Sequence, residues 1–253
     1  PAGLNAITLD MVRQLQQQLD AWATDASVHA VVLRGAGEKA FCAGGDIRSL
    51  YDSFKSGDTL HEDFFVEEYA LDLTIHHYRK PVLALMDGFV LGGGMGLVQG
   101  ASLRVVTERV RMGMPEVGIG YFPDVGGSHF LSRLPGELGT YMGVTGLQIR
   151  AADALHVGLA DWCVSHDQIA ELDRCLDRMS WSVHPQEALR TLVATLGSNK
   201  LPGSELKALH QAIDEHFGKS DVAAIRASLA AESRPEFADW AEETLKVLDS
   251  RSP

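Results

Sequence analysis

An α/β core followed by an all-helical region is the architecture this sequence predicts, on three observations. Short β-branched runs alternate with helical periodicity as far as residue 165, glycine-rich turns punctuate them, and from residue 166 to 253 only helical periodicity remains. Two regions follow, 1–165 and 166–253.

The elements read in order. "LDMVRQLQQQLDAWA" at 9–23 sets Leu9, Val12, Leu15, Leu19 and Trp22 at helical spacing, with Asp10 in the first turn, where the helix dipole favours an acid. "HAVVLRG" at 29–35, "KPVLALMDG" at 80–88 and "SLRVVTE" at 102–108 are short strand-forming runs. Between them "DIRSLYDSF" and "HEDFFVEEYALDLTIHHYRK" predict helices, and "GGSHFLSRL", "GELGTYMGVTG" and "AADALHVGL" predict short helices broken by glycine. The tail predicts helices over "DQIAELDRCLDRMSW", "PQEALRTLVATL", "ELKALHQAIDEHF" and "EFADWAEETLKVL", then runs to Pro253 without an obvious cap.

Bulk properties narrow the function. The 253 residues are 45% hydrophobic and 22% charged, an ordinary soluble composition with enough apolar material for a core. A net charge of -12 argues against a nucleic-acid surface, which needs clustered Lys and Arg. Cys42, Cys163 and Cys175 are too few and too scattered for a disulfide framework or a four-ligand zinc site, which fits a reducing compartment such as the cytoplasm, or the mitochondrial matrix in a eukaryote. No apolar run reaches the roughly 20 residues of a membrane helix, so no membrane partner is expected. "PAGLNAITLDM" begins abruptly at a helix approach, which suggests a segment upstream.

Two acids stand out. In "MPEVGIGYFPDVGG" at 114–127, Glu116 and Asp124 sit among apolar residues, glycine and proline. A carboxylate drawn out of water needs a partner, hydrogen bonds or its proton, so each acid needs a partner or a task. Asp124 could start a turn or cap the helix that follows. Glu68 lies in an acidic run, "HEDFFVEEY", whose ordinary place is a solvated helix face. Asp46 is expected to cap or support a turn, and Cys42 to pack as a small apolar group. His76 and His77 are adjacent, so on a helix they diverge by about 100° and make a poor metal pair.

Two glycine turns, "AFCAGGDI" at 40–47 and "DGFVLGGGMGL" at 87–97, each follow a strand and open a helix. N–H groups at a helix start lack intrahelical acceptors and lie at the positive end of the dipole, so such turns can donate to an anionic oxygen. Neither is a P-loop or a dinucleotide fingerprint. Converging on one oxygen, they would form an oxyanion hole.

"AFCAGGDI", "LGGGMGL", "MPEVGIGYFPDVGG" and "FLSRLPG...TG", in this order, resemble the enoyl-CoA hydratase/isomerase (crotonase) superfamily. "FCAGGDI", "EEYALD" and "FPDVGG" together look most like its 3-hydroxyisobutyryl-CoA hydrolase branch. The resemblance implies a ClpP-like spiral of ββα units followed by helices, and an acyl-CoA substrate whose thioester carbonyl is bound by the N–H groups of Gly45 and Gly93. It further implies Glu116 as the catalytic carboxylate, as nucleophile or as base; Asp124 on the substrate hydroxyl and the proton; and Glu68, Gly93, Glu116 and Asp124 lining the substrate site. Family hydratases carry a second glutamate two residues after the glycine triplet, where this chain has Gly96.

Hydrolysis of a short β-hydroxyacyl-CoA, such as 3-hydroxyisobutyryl-CoA in valine breakdown, is therefore expected. Enoyl- or dienoyl-CoA isomerase or hydratase chemistry, and non-catalytic acyl-CoA binding, are the alternatives. No metal and no redox cofactor is expected, CoA being part of the substrate. Lys39 and Arg48, flanking the first glycine turn, and Lys80 are the cations available to CoA phosphates. Superfamily resemblance implies a homo-oligomer, a trimer or hexamer, and branch members continue past "LKVLDSRSP" with helices that close over the site.

Overall fold

The computed structural model describes residues 3–181, 184–197 and 200–251. Expectations about what precedes Pro1 and follows Pro253 fall outside that set. Thr8 caps the first helix, α1 (Leu9–Thr24), its hydroxyl accepting from Met11 N at 3.2 Å. There follow β1 (Val31–Arg34), β2 (Ala40–Cys42), α2 (Ile47–Ser56), α3 (Leu60–His76), β3 (Val82–Met86), β4 (Phe89–Leu91), α4 (Gly93–Gln99), β5 (Leu103–Val106) and β6 (Arg111–Gly113). A 3-10 turn (Glu116–Ile119) precedes α5 (Gly127–Leu131), α6 (Leu138–Thr145), α7 (Ala151–Val157) and β7 (Trp162–Cys163). Beyond a second 3-10 turn (His166–Gln168) come α8 (Ile169–Asp177), α9 (Pro185–Leu196), α10 (Glu205–Phe217), α11 (Val222–Ala230) and α12 (Pro235–Asp249).

Odd and even strands segregate. β1-β3-β5-β7 form one parallel sheet and β2-β4-β6 a second, so successive strand pairs wind forward as a spiral of ββα units. In β3 every residue is buried, as parallel strands covered on both faces require. Leu83 and Leu85 pack with Leu103, Val105, Val164 and the tail residues Leu172, Leu189 and Val193, whereas Val82, Ala84 and Met86 join the main core. The tail thus covers one face of the larger sheet through α8 and α9.

Farther on, Tyr141 of α6 stacks edge-on against Phe217 of α10 at 4.8 Å, and Trp240 of α12 donates to the Tyr141 hydroxyl at 3.2 Å. Buried His216 of α10 is held between Ser228 of α11 at 2.8 Å and Glu232 at 2.9 Å, tying α10 to α11 and to the turn that leads into α12.

Strands β2, β4, β6 and β7 are two or three residues long and escaped the periodicity, as did α11. The smaller sheet nevertheless positions the site, because β2 and β4 each run directly into one of the glycine turns.

Candidate active site

The first glycine turn is held from three sides. Ile7 N donates to Gly44 O at 2.8 Å, Asp46 N donates to Ile7 O at 2.9 Å, and the Asp46 side chain caps α2 through Ser49. Gly44 has φ +99°, a conformation glycine adopts without penalty. Gly45 N is thereby left out of the turn's own hydrogen bonds. Cys42 is buried beside it, and burial pushes its thiol up to about 11, so it packs as a neutral group.

In the second turn, Gly92 at φ +51° donates to Gly113 O at 3.1 Å and Gly93 opens α4. The two turns are adjacent: a Cβ on Gly44 would lie 3.4 Å from Leu91 O and 3.9 Å from Gly93 N. Gly45 and Gly93 line one cavity of about 460 Å³, together with Glu68, Glu116 and Asp124. All five residues singled out in the sequence meet there.

The glycine run explains how the acids fit. A Cβ on Gly92 would stand 2.5 Å from Glu116 Oε1, one on Gly93 2.5 Å from Glu68 Oε1, and one on Gly96 2.6 Å from Asp72 Oδ2. Each of these glycines makes room for a carboxyl oxygen. Any larger residue would collide with it.

Glu116 begins the 3-10 turn behind Pro115, is only 8% exposed, and its Oε2 has no hydrogen-bond partner. Burial, reinforced by the charge of Asp124, raises it to about 7 although a backbone hydrogen bond pulls the other way. Glu68 is 2% exposed, so the solvated-face expectation is wrong: its side of α3 packs on α4, and the exposed face is that of Val66 and Leu73. Burial first, then the charges of Asp124 and Glu116, push Glu68 to about 8. The Asp124 side chain does not cap α5; its Oδ2 accepts from the Tyr69 hydroxyl at 2.7 Å, while its backbone carbonyl takes Gly127 N.

Two residues were missed. Tyr69 anchors Asp124, and Asp72 lies one turn beyond Glu68 with both carboxyl oxygens buried and unpartnered. The signal was available in "FFVEEYALD": the i, i+3, i+4, i+7 pattern puts Phe65, Glu68, Tyr69 and Asp72 on one helix face.

Among the expected cations, Lys80 donates to the carbonyls of Trp22 and Asp25 and so ties α1 to β3. Lys39 and Arg48 are exposed and line neither this cavity nor a second one bordered by Asp72, Gly96 and His129. Exposed Ile47, Tyr51, Phe54 and Ile119 rim the active-site cavity instead. The arrangement brings two adjacent glycine turns and a buried carboxyl to one cavity, a combination that can bind a polarised carbonyl and attack it or activate water beside it.

The chain belongs to the enoyl-CoA hydratase/isomerase family, whose pattern it matches along residues 1–253. Among its relatives, a protein named "3-hydroxyisobutyryl-CoA hydrolase, mitochondrial" from Danio rerio is 47% identical over 176 residues, 70% of this chain and 46% of that protein. One of the same name from Rattus norvegicus is 37% identical over 256 residues, all of this chain and 65% of the relative. The chain therefore spans about half to two thirds of these relatives.

Of solved structures, a carnitinyl-CoA dehydratase from Mycobacterium thermoresistibile superposes with TM-score 0.89 at 39% identity, covering all of this chain and 71% of that one. An enoyl-CoA hydratase from Rhodobacter sphaeroides gives 0.86 at 37%, covering 100% and 70%. The crotonase fold is confirmed.

Proposed function

We propose that the protein hydrolyses the thioester of a short β-hydroxyacyl-CoA, with 3-hydroxyisobutyryl-CoA, an intermediate of valine breakdown, as its substrate. The observation that carries this is the make-up of the second glycine turn: Glu116 stands beside both glycine turns, and the position two residues after the triplet, where family hydratases carry the second glutamate that delivers water across a double bond, is Gly96. The relatives named as 3-hydroxyisobutyryl-CoA hydrolases support it.

The thioester carbonyl accepts hydrogen bonds from Gly45 N and Gly93 N. Glu116 then acts on the carbonyl carbon, either directly, expelling the CoA thiolate to leave an acyl anhydride that water opens, or by taking a proton from the attacking water. Asp124, steadied by Tyr69, holds the substrate 3-hydroxyl and the water, and Glu68 closes the polar end. Ile47, Tyr51, Phe54 and Ile119 offer apolar contact to the uncharged arm of the acyl-CoA. The chemistry uses no metal or redox cofactor.

A compartment holding short acyl-CoA, the mitochondrial matrix in a eukaryote or otherwise the cytoplasm, fits this substrate, and assembly as a trimer or hexamer is checked by light scattering. The deciding experiment incubates the protein with 3-hydroxyisobutyryl-CoA, crotonyl-CoA and a dienoyl-CoA. Free thiol from the hydroxyacyl substrate alone is the expected result; altered conjugated absorbance without thiol would assign the carboxylates to proton transfer between carbons, and no change in any would favour acyl-CoA binding.

A further inference from the structure

Glu68 and Asp72 form a buried acid pair with no counter-charge. They lie four residues apart on α3, and both face α4, where Gly93 and Gly96, three residues apart, leave room for one carboxyl oxygen each. Glu68 is 2% exposed with Oε1 unpartnered, and neither oxygen of Asp72 has a partner. Among the described residues, no Lys or Arg lines the active-site cavity or the second cavity, of about 370 Å³, that lies on the Asp72 side of α3.

The groups that face the pair from neighbouring elements offer little compensation. From α3 and its end come His61, Tyr69, whose hydroxyl is committed to Asp124, His76 and His77; from α4 only the neutral Gln99; from β2 the thiol of Cys42; from the loops Tyr121 and the acids Glu116 and Asp124; from α5 His129. The His76 and His129 rings lie edge-on at 5.7 Å, and neither reaches an Asp72 oxygen. Two ionised carboxylates in such surroundings would be both desolvated and mutually repelled.

We propose that Glu68 and Asp72 act as one acid pair that keeps a proton at neutral pH, with Asp72 as the positioning residue that limits the negative charge of the site while an oxyanion forms at Gly45 and Gly93. No hydrogen bond joins the two carboxyls, so what couples them is charge: a negative Glu68 holds the proton on Asp72, and nothing else is gained or lost. Burial, the largest cause, and neighbouring charge agree with this, raising Glu68 to about 8 and Asp72 to about 9. The retained proton stands on geometry alone, whereas its benefit to an oxyanion rests on the proposed hydrolysis.

The test is a titration of the whole chain carrying ¹³C-labelled Asp and Glu carboxyls, followed by NMR from pH 5 to 10, for the native protein, Asp72→Asn and Glu68→Gln. The native protein is expected to retain a protonated carboxyl of this pair above pH 7. In Glu68→Gln the remaining Asp72 should titrate lower by about one unit, a tenfold change in proton affinity, whereas in Asp72→Asn Glu68 should stay near its native value, because Asp72 is still neutral when Glu68 ionises. Loss of both protons below pH 6 in the native protein, or an Asp72 unmoved in Glu68→Gln, would overturn the pair. Thiol release measured against pH adds a functional readout: the alkaline decline expected of the native protein should shift in Asp72→Asn. If no thioester is cleaved at any pH, the proposed hydrolysis fails while the titration still decides the pair.

Discussion

The carboxyl of Asp72 stands where a side chain on residue 96 would have to begin. Its Oδ2 lies 2.6 Å from a Cβ placed on Gly96, and the Cβ of Val125 closes the other side at 2.6 Å. Gly96→Glu is therefore expected to destabilise the fold by about 1–3 kcal/mol, the usual cost of overpacking, and to confer no efficient hydration of crotonyl-CoA. Denaturant melts and the conjugated absorbance measure the two effects. A stable variant that hydrates crotonyl-CoA well would contradict both.

Glu116→Gln keeps the shape of the buried side chain and removes its ability to attack or to take a proton. Thiol release should fall by at least about 10²–10⁴-fold, with acyl-CoA binding preserved. Stopped-flow turnover beside calorimetric binding separates the two, and retained turnover would remove Glu116 from the chemistry.

Tyr69 fixes Asp124 through a 2.7 Å hydrogen bond. Asp124→Asn should impair hydroxylated acyl-CoA substrates more than unsubstituted ones. Tyr69→Phe should lower kcat/KM for the hydroxylated substrate by about tenfold or more, the value of a hydrogen bond to a charged group. In a double-mutant cycle the combined loss should be smaller than the sum of the two, because the second change removes a contact already lost.

Activity and stability should respond to pH in opposite directions. Glu116 must ionise to act, so thiol release should rise as pH passes through about 7. Stability runs the other way. Glu68, Asp72 and Glu116 hold protons in the folded chain, at about 8, 9 and 7, that the unfolded chain releases near its ordinary carboxyl values. Their contribution is complete below those ordinary values and is lost as pH climbs through the raised ones, because the native state binds more protons over that interval. The melting temperature should fall from pH 5 to pH 9, and fall less in Glu68→Gln.

Much of this was legible in the sequence because the informative signals were local. Helical spacing set α1, α3 and α9 within a few residues, and the glycine turns, Glu116 and Asp124 marked residues that share one cavity. β2, β4 and β6 were not legible, since three residues between a loop and a glycine turn show no periodicity, and what stabilises each is pairing with a strand distant in the chain. Glu68 looked solvated because charge runs normally are; its burial depends on the missing Cβ of Gly93, which no property of α3 reveals. Asp72 and Tyr69 shared that helix face and were overlooked for the same reason.

The three close approaches of carboxyl oxygens to glycines bind residue 92 to 116, 93 to 68 and 96 to 72. Such couplings are epistatic, and they give the site a direction of change. Substituting a glycine first drives a new side chain into an acid, whereas shortening the acid first opens space that the glycine position can then fill. A mutational library confined to residue 96 would mostly sample damaged folds, and one built on small residues at both 72 and 125 would reach intact proteins with new groups in the pocket.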